Sequence, residues 1–299
     1  MSRPLFLPMP GNETLTRKLA AKLGWETGSI ETRHFPDGET YLKIDAGVQG
    51  RATVVVCTLD RPDPKFLPLS FAADGLRDLG CTSVGLAAPY LAYMRQDRHF
   101  HTGDVVTSRS FARALSDSFD WLVTVDPHLH RYKSLEEIYT MPTQLVHAAP
   151  AVAEWIKQNV KFPMLVGPDA ESAQWVSDVA QKIGAPFIVL EKIREGDRNV
   201  EIRLPVDARC DNHTPVLLDD IVASGDTMLK AVRAMRQRMP KQPVCVAVHG
   251  IFAENAHAAL IGEGAHVVTC NTVGHETNAI DISGLLADGI AAAIDGHQT

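Results

Sequence analysis

The stretch 216–228, VLLDDIVASGDTM, holds the residue types best suited to chemistry in this chain. Val216, Leu217 and Leu218 read as a buried strand, followed by two adjacent carboxylates, Asp219 and Asp220. Ala223, Ser224, Gly225, Asp226 and Thr227 then form a short run of small and hydroxyl residues. The run opens into a segment that is apolar at helical spacing, at Leu229, Val232, Met235 and Met239. A strand, a tight loop and a helix start make an anion site, because loop N–H groups and the helix dipole point at one spot. Gly225 permits positive φ or close ligand approach, and Ser224 and Thr227 add hydroxyl donors. Two adjacent aspartates are unfavourable unless sugar hydroxyls, a metal or solvent receives them. The same residues also suit an ordinary capped strand–helix connection, so the loop alone leaves both readings open. It is not a P-loop, since no GxxxxGK[ST] is present.

Five further polar stretches follow strand candidates. RHFPDGETY (33–41) carries Asp37 and Glu39 around a glycine turn, and a solvated hairpin explains it equally. YMRQDRHFH (93–101) brings together Arg95, Asp97, Arg98, His99 and His101. An arginine fork suits phosphates and stacks on bases, although such a run is commonly an exposed ion-pair cluster. DPHLHRY (126–132) spaces Asp126, His128 and His130 at alternate positions. It suits either a magnesium-associated histidine or a plain loop, and the preference of Mg²⁺ for oxygen favours the loop. GPDAES (167–172) is a second possible anion cradle before a helix. EKIREGDR (191–198) alternates in charge and reads as solvent-exposed.

The elements that must position these stretches alternate between strand and helix. Strands are expected at 4–9, 52–57, 83–88, 121–125, 163–166, 186–190, 244–248 and 266–270. Helices are expected from the PGNE start through Leu23, and at 67–79, 107–115, 146–158, 172–183, 256–261 and 282–294. Extended segments flank the turn at 36–38, residues 192–199 read as a charged loop, and 200–203 as the start of a small hairpin. Continuous apolar strands alternating with helices imply parallel sheets covered on both faces.

Composition narrows the class. With 299 residues, 45% hydrophobic and 22% charged, the chain has material for one large or two medium globular domains. A net charge of −7 argues against general nucleic-acid binding but leaves room for a local phosphate pocket. Cys57, Cys81, Cys210, Cys245 and Cys270 are scattered without CxxC or zinc spacing, and read as reduced residues. No leader pattern is evident at 1–13, and no apolar run reaches the ~20 residues that span a bilayer. The expectation is a soluble cytoplasmic protein with neither nucleic-acid nor membrane partners.

In order, RHFPDGETY, APYLAYMRQDR, VDPHLHRY, VGPDAESA, EKIREGDRNVEI, VLLDDIVASGDT, HGIFAENA and CNTVGHETNAIDIS resemble the ribose-phosphate pyrophosphokinase (phosphoribosyl pyrophosphate synthetase) family. No single piece is specific; the ordered set is, and it covers nearly the whole chain. The short length, HFHTGD and DPHLHRY look closer to the compact, archaeal-like branch. The resemblance implies an α/β fold of two phosphoribosyltransferase-like domains, each a mainly parallel sheet flanked by helices. Their expected boundaries are 1–145 and 146–279, with a helix at 280–299 able to pack back on the first. It implies transfer of the diphosphoryl group of ATP to O1 of ribose 5-phosphate, with Mg²⁺ as cofactor. Ala223, Ser224, Gly225, Asp226 and Thr227 would hold the 5-phosphate, and Asp219 and Asp220 the ribose hydroxyls. Arg95, Gln96 and Asp97 would line the ATP site, His128 would lie near magnesium and the phosphates, and Asp169 would help hold magnesium. Phe35, Asp37 and Glu39 would reach the adenine of a neighbouring subunit, so the active unit would be a homo-oligomer, at least a dimer. Lys192 and Arg194 would sit on the mobile catalytic loop.

This sequence departs from the family pattern in three places. The phosphate loop usually reads DTGGT or DTCGT; here it reads ASGDT, so Ala223 lacks the usual carboxylate and Asp226 places a charge where glycine normally approaches phosphate. Glu171 replaces a small residue in the second cradle. LHRYKSLEE follows DPH in place of the usual continuation, leaving His130 and Arg131 without a family role. Two alternatives stand beside the diphosphokinase. One is a phosphoribosyltransferase consuming phosphoribosyl pyrophosphate, which would need neither a duplicated domain nor the RQD and Lys–Arg stretches. The other is a non-catalytic regulatory relative, which the altered loops allow and the retained Lys192, Arg194 and His128 disfavour.

Overall fold

The computed structural model describes residues 3–195, 199–203 and 212–297, with 191–203 described as backbone. The chain divides into two compact units, Met1–His147 with Ser283–Thr299, and Ala148–Ile282. In chain order the first unit contains β1 (Leu5–Pro8), α1 (Glu13–Leu23), β2 (Glu26–Thr27), β3 (Ser29–His34), β4 (Thr40–Asp45) and β5 (Ala52–Val56). There follow α2 (Asp63–Asp78), β6 (Ser83–Ala88), α3 (Thr107–Ser118), β7 (Trp121–Val125) and β8 (Thr143–Val146). The second unit holds α4 (Ala149–Asn159), β9 (Pro163–Gly167), α5 (Ala173–Ile183), β10 (Phe187–Val189), β11 (Glu191–Glu195) and β12 (Asn199–Arg203). It continues through β13 (Thr214–Val222), α6 (Asp226–Arg238), β14 (Val244–Gly250), α7 (Ala256–Gly262), β15 (His266–Cys270) and β16 (Asn278–Ile280). The helix α8 (Ser283–His297) then returns to the first unit, against α1, β7 and β8.

Each unit is built on a six-stranded parallel sheet, in the order β2-β1-β5-β6-β7-β8 and β10-β9-β13-β14-β15-β16. The two orders are the same pattern. In both units an antiparallel hairpin (β3–β4, β11–β12) is inserted after the second strand, outside the main sheet. Order reverses between β1 and β5, and between β9 and β13, and such a switch point opens a crevice at the strands' carboxyl ends.

Apolar runs fill the sheets. Every residue of β14 is buried, His249 included; its Nδ1 lies 2.9 Å from the Thr272 hydroxyl, which donates to the Val248 carbonyl at 2.7 Å. In the first unit the Trp121 ring lies flat over the neighbouring strand at Gly85, where a Cβ would come within 2.0 Å of the indole. Cys57, Cys81, Cys245 and Cys270 form no disulfide, and burial pushes the Cys57 thiol up to about 12. Cys210 lies outside the described residues. Among the described residues no helix is long and apolar enough to cross a membrane.

Local details differ from the sequence reading. The charged stretch expected as a loop at 192–199 is largely strand, since Glu191–Glu195 pairs antiparallel with Asn199–Arg203. The helix expected at 146–158 starts at Ala149, because 143–146 is strand β8, too short to show a period. Pro150 falls in the first turn of α4, and Pro64 in that of α2, which starts at Asp63 rather than 67. Proline is tolerated there because first-turn N–H groups have no helical partner. The short strand β16 gave no sequence signal.

Gly85→Ala is expected to destabilise the protein by about 1–3 kcal/mol, the usual cost of overpacking a filled core. Urea unfolding followed by tryptophan fluorescence measures it, and an unchanged midpoint would mean that Trp121 repacks freely.

Candidate active site

In the second unit the two cradles flank the switch point. β9 and β13 are hydrogen-bonded neighbours, so the loops leaving their carboxyl ends lie side by side. β13 runs through both aspartates to Val222, and places Asp219 and Asp220 in its last turn of pleat. The Asp219 carboxyl is shifted upward. Burial pushes its carboxyl well above the ordinary range, and the charges of Asp220 and then Asp169 push it further. Its Oδ1 accepts from the Asp220 amide at 3.0 Å, which only partly offsets these effects.

After β13 the chain turns through Gly225, in the left-handed region at φ 76°, and enters α6 at Asp226. A side chain at Gly225 is excluded twice: by that φ, and because its Cβ would lie 3.1 Å from the Ala256 methyl. Ala253 donates to the Ala223 carbonyl at 3.0 Å, and the amides of Ile251 and Phe252 both donate to Val222 at 3.0 Å. These bonds tie the loop to the segment after β14. Ser224 and Asp226 are exposed, Thr227 is half-buried, and the Ser224 hydroxyl lies 3.5 Å from an Asp226 carboxylate oxygen. Asp226 therefore occupies the first turn of α6, where its charge complements the helix dipole and competes with any other anion for it.

Asp169 follows β9 and caps the short turn Ala170–Ser172. Its Oδ1 accepts from the amides of Glu171 at 3.1 Å and Ser172 at 3.4 Å. Glu171 is exposed. Lys192 and Arg194 are two residues apart on β11, opposite Ile202 and Val200 of β12.

In the first unit the candidate residues do not gather at the β1–β5 switch point. They follow β6 and β7, adjacent strands whose loops therefore meet. Arg95 and Gln96 are exposed, whereas Asp97 is 5% exposed. Arg131 binds both Asp97 carboxylate oxygens through one nitrogen, at 3.0 and 2.9 Å. The Tyr132 hydroxyl lies 3.3 Å from the Asp97 carbonyl and 3.0 Å from the Ser108 hydroxyl. Gln96 contacts the Thr107 hydroxyl through its side chain, and its carbonyl accepts from Ser108 at 3.3 Å. Arg131 is thus a residue the sequence reading left without a role, and Tyr132 one it did not single out. Their signal was pattern alone: a cation and a phenol one loop along from an acid, on neighbouring strands.

His128 is half-buried, and its ring lies 4.0 Å from that of His130, edge to face. Asp126 and His128 both adopt positive φ, 33° and 54°, and Asp126 pairs with His147 at 3.0 Å. Left-handed non-glycine residues are costly and gather where a backbone is held for use. Phe35, Asp37 and Glu39 lie elsewhere, exposed at the tip of the β3–β4 hairpin. The Glu39 amide donates to Asp37 at 3.1 Å, and Arg33 stacks on Tyr41 at 4.0 Å and Phe35 at 4.9 Å.

Comparison with known proteins decides the family. Residues 5–118 match the N-terminal domain of ribose phosphate pyrophosphokinase, and residues 134–283 match the phosphoribosyl transferase domain. The ribose-phosphate pyrophosphokinase of Sulfolobus acidocaldarius is 31% identical over 91% of this chain and 92% of its own length. That of Methanothermobacter thermautotrophicus is 30% identical over 95% and 99%. This chain belongs to the ribose-phosphate pyrophosphokinase family. The crystal structure of phosphoribosylpyrophosphate synthetase from Mycobacterium smegmatis shares the fold, with a TM-score of 0.86 over 99% of this chain and 100% of that one, at 21% identity. Within the family frame, two units with parallel sheets flanked by helices carry the two matched domains.

The strained carboxylate gives a sign-determined prediction. A raised folded-state pKa means the folded protein holds a proton that the unfolded chain releases, so this group costs stability as pH rises above ~4. Asp219→Asn should therefore raise the unfolding temperature at pH 8 by about 2–4 °C, bring no gain at pH 4, and abolish turnover. Equal or lower stability at pH 8 in thermal scans would remove the strain from the account.

Proposed function

We propose that this chain transfers the β,γ-diphosphoryl group of ATP to O1 of ribose 5-phosphate, giving phosphoribosyl pyrophosphate and AMP. The observation that carries the reading is the Asp219–Thr227 arrangement: two carboxylates at a strand end, a left-handed glycine turn and a helix N-terminus, all at a switch point. The loop amides from Ser224 to Thr227 and the α6 dipole bind the 5-phosphate. Asp219 and Asp220 accept hydrogen bonds from ribose hydroxyls, which lowers the cost of their mutual repulsion.

Arg95, Gln96 and Asp97 line the ATP site, with Arg131 and Tyr132 fixing the geometry of that loop from below. The O1 lone pair attacks the β-phosphorus, the bond from that phosphorus to the α,β-bridging oxygen breaks, and the O1 proton leaves. Such a transfer needs alignment and charge neutralisation more than covalent help. Lys192 and Arg194, from β11, supply positive charge to the oxygens of the moving group. Asp169 would hold Mg²⁺ in the second unit, where the carboxylates that push Asp219 up would be relieved by a cation, and His128 is the metal candidate of the first unit. When bound, Mg²⁺ supplies neutralisation of the phosphate charges. Phe35, Asp37 and Glu39, on an exposed hairpin tip, reach the adenine site of a second copy, so the active form is at least a dimer. Four described cysteines that form no disulfide suit a reducing cytoplasm.

Purified protein with ATP, Mg²⁺ and ribose 5-phosphate should form AMP in step with ribose 5-phosphate consumed; no AMP would overturn the reading. In the same assay Lys192→Ala and Arg194→Ala should each lower kcat by about 10²–10³-fold with little change in ATP affinity. Near-normal turnover in both would take β11 out of the mechanism. Asp226→Asn removes the charge that competes for the α6 dipole and should lower the KM for ribose 5-phosphate by about 2–5-fold. A KM that stays level or rises would show that Asp226 faces away from the phosphate.

A further inference from the structure

Behind the phosphate loop lies a cluster that the reaction above does not use. His257 is the second residue of α7, and His275 and Glu276 lie in the turn joining β15 to β16. The two imidazoles stand edge to face with centroids 4.9 Å apart, and Phe252 packs against both, at 5.3 and 4.6 Å. His257 Nδ1 lies 3.4 Å from Glu276 Oε1, long for a hydrogen bond. One ligand atom from each of the three side chains lies within 4.8 Å of the other two.

The turn is held from behind. His275 Nδ1 lies 2.9 Å from the Thr277 hydroxyl and 3.2 Å from its amide, and the Thr277 hydroxyl lies 2.8 Å from that of buried Thr269. The His275 amide donates to Asn278 Oδ1 at 2.9 Å, and Asn278 Nδ2 donates to the Cys270 carbonyl at 2.9 Å. The Thr277 amide donates to His275 Nδ1, which anchors the ring in the turn. The His257 side chain is 23% exposed and that of Glu276 is 77% exposed, so the cluster is walled by Phe252 on one side and open to solvent on another.

We propose that His257, His275 and Glu276 form a divalent-metal site distinct from the magnesium of the reaction, with solvent as the fourth ligand. Two imidazoles and one carboxylate are a zinc-type donor set, which magnesium, a taker of oxygen ligands, does not favour. The site has a place in the molecule. Ala256, the residue before His257, carries the methyl that Gly225 abuts, so an ion joining α7 to the β15–β16 turn braces the wall behind the phosphate loop.

The test uses the untagged full-length chain, stripped with chelator and kept in excess Mg²⁺ to fill oxygen sites, then titrated with Co²⁺. One equivalent should bind with the intense visible absorption of four-coordinate cobalt, and Zn²⁺ should displace it. His257→Ala, His275→Ala and the exposed Glu276→Gln should each weaken binding by at least about tenfold, with folding checked by thermal scans in chelator. A weak six-coordinate spectrum, or an affinity unchanged in Glu276→Gln and in whichever histidine variant folds, would overturn the site and leave only adventitious binding by other histidines.

Discussion

Asp219 cannot be relaxed without losing what surrounds it. Its strand pairs with β9 as far as Leu217 and with β14 at Asp219 itself, so the backbone that carries the carboxylate is held by the sheet. The loop beyond is equally constrained, by the left-handed turn at Gly225 and by the bonds from Ile251, Phe252 and Ala253. Two carboxyl groups are therefore held beside each other, half-buried, by a rigid frame. The frame stores an unfavourable interaction in the protein, which a polyhydroxylated ligand would relieve under the proposed reading.

The first unit repeats the topology but distributes its polar residues differently. Its switch-point loops after β1 and β5 are closed by their own contacts: the Asn12 side chain accepts from the Thr58 amide at 2.8 Å, and Lys65 reaches Asp60. The usable groups have moved two strands across, to the ends of β6 and β7. There Asp97 is satisfied by Arg131 rather than left to seek a ligand, which leaves Arg95 and Gln96 as the exposed, outward-facing members of the loop. One carboxylate is neutralised by its own fold and the other, Asp219, is not. Under the proposed reading, that contrast separates a nucleotide loop with an outward cation from a sugar loop with acceptors.

Much of this was legible in the residues. Alternation of apolar strands with amphipathic helices gave the parallel sheets, and Gly225 between a strand and a helix gave the left-handed turn. What escaped were features with no period of their own. β8 and β16 are three or four residues long and exist because a neighbouring strand offers a ladder. β11 reads as a loop by its charges, yet its pairing with β12 makes it a strand. The Asp97–Arg131 pair joins residues 34 apart in sequence, and only the adjacency of β6 and β7 brings them together. Local chemistry writes itself into sequence; contacts set by sheet order do not.

The position of α8 has a consequence for how the protein is made. This helix of 15 residues belongs to the first unit but follows the whole of the second in the chain. It covers β7 and β8 so closely that a Cβ at Gly289 would lie 2.6 Å from Val146. During synthesis β7 and β8 therefore emerge before the helix that covers them, which follows only once the second unit has been translated. At ~5–20 residues per second, that interval lasts on the order of ten seconds. The earlier-born unit is thus the later one to be completed.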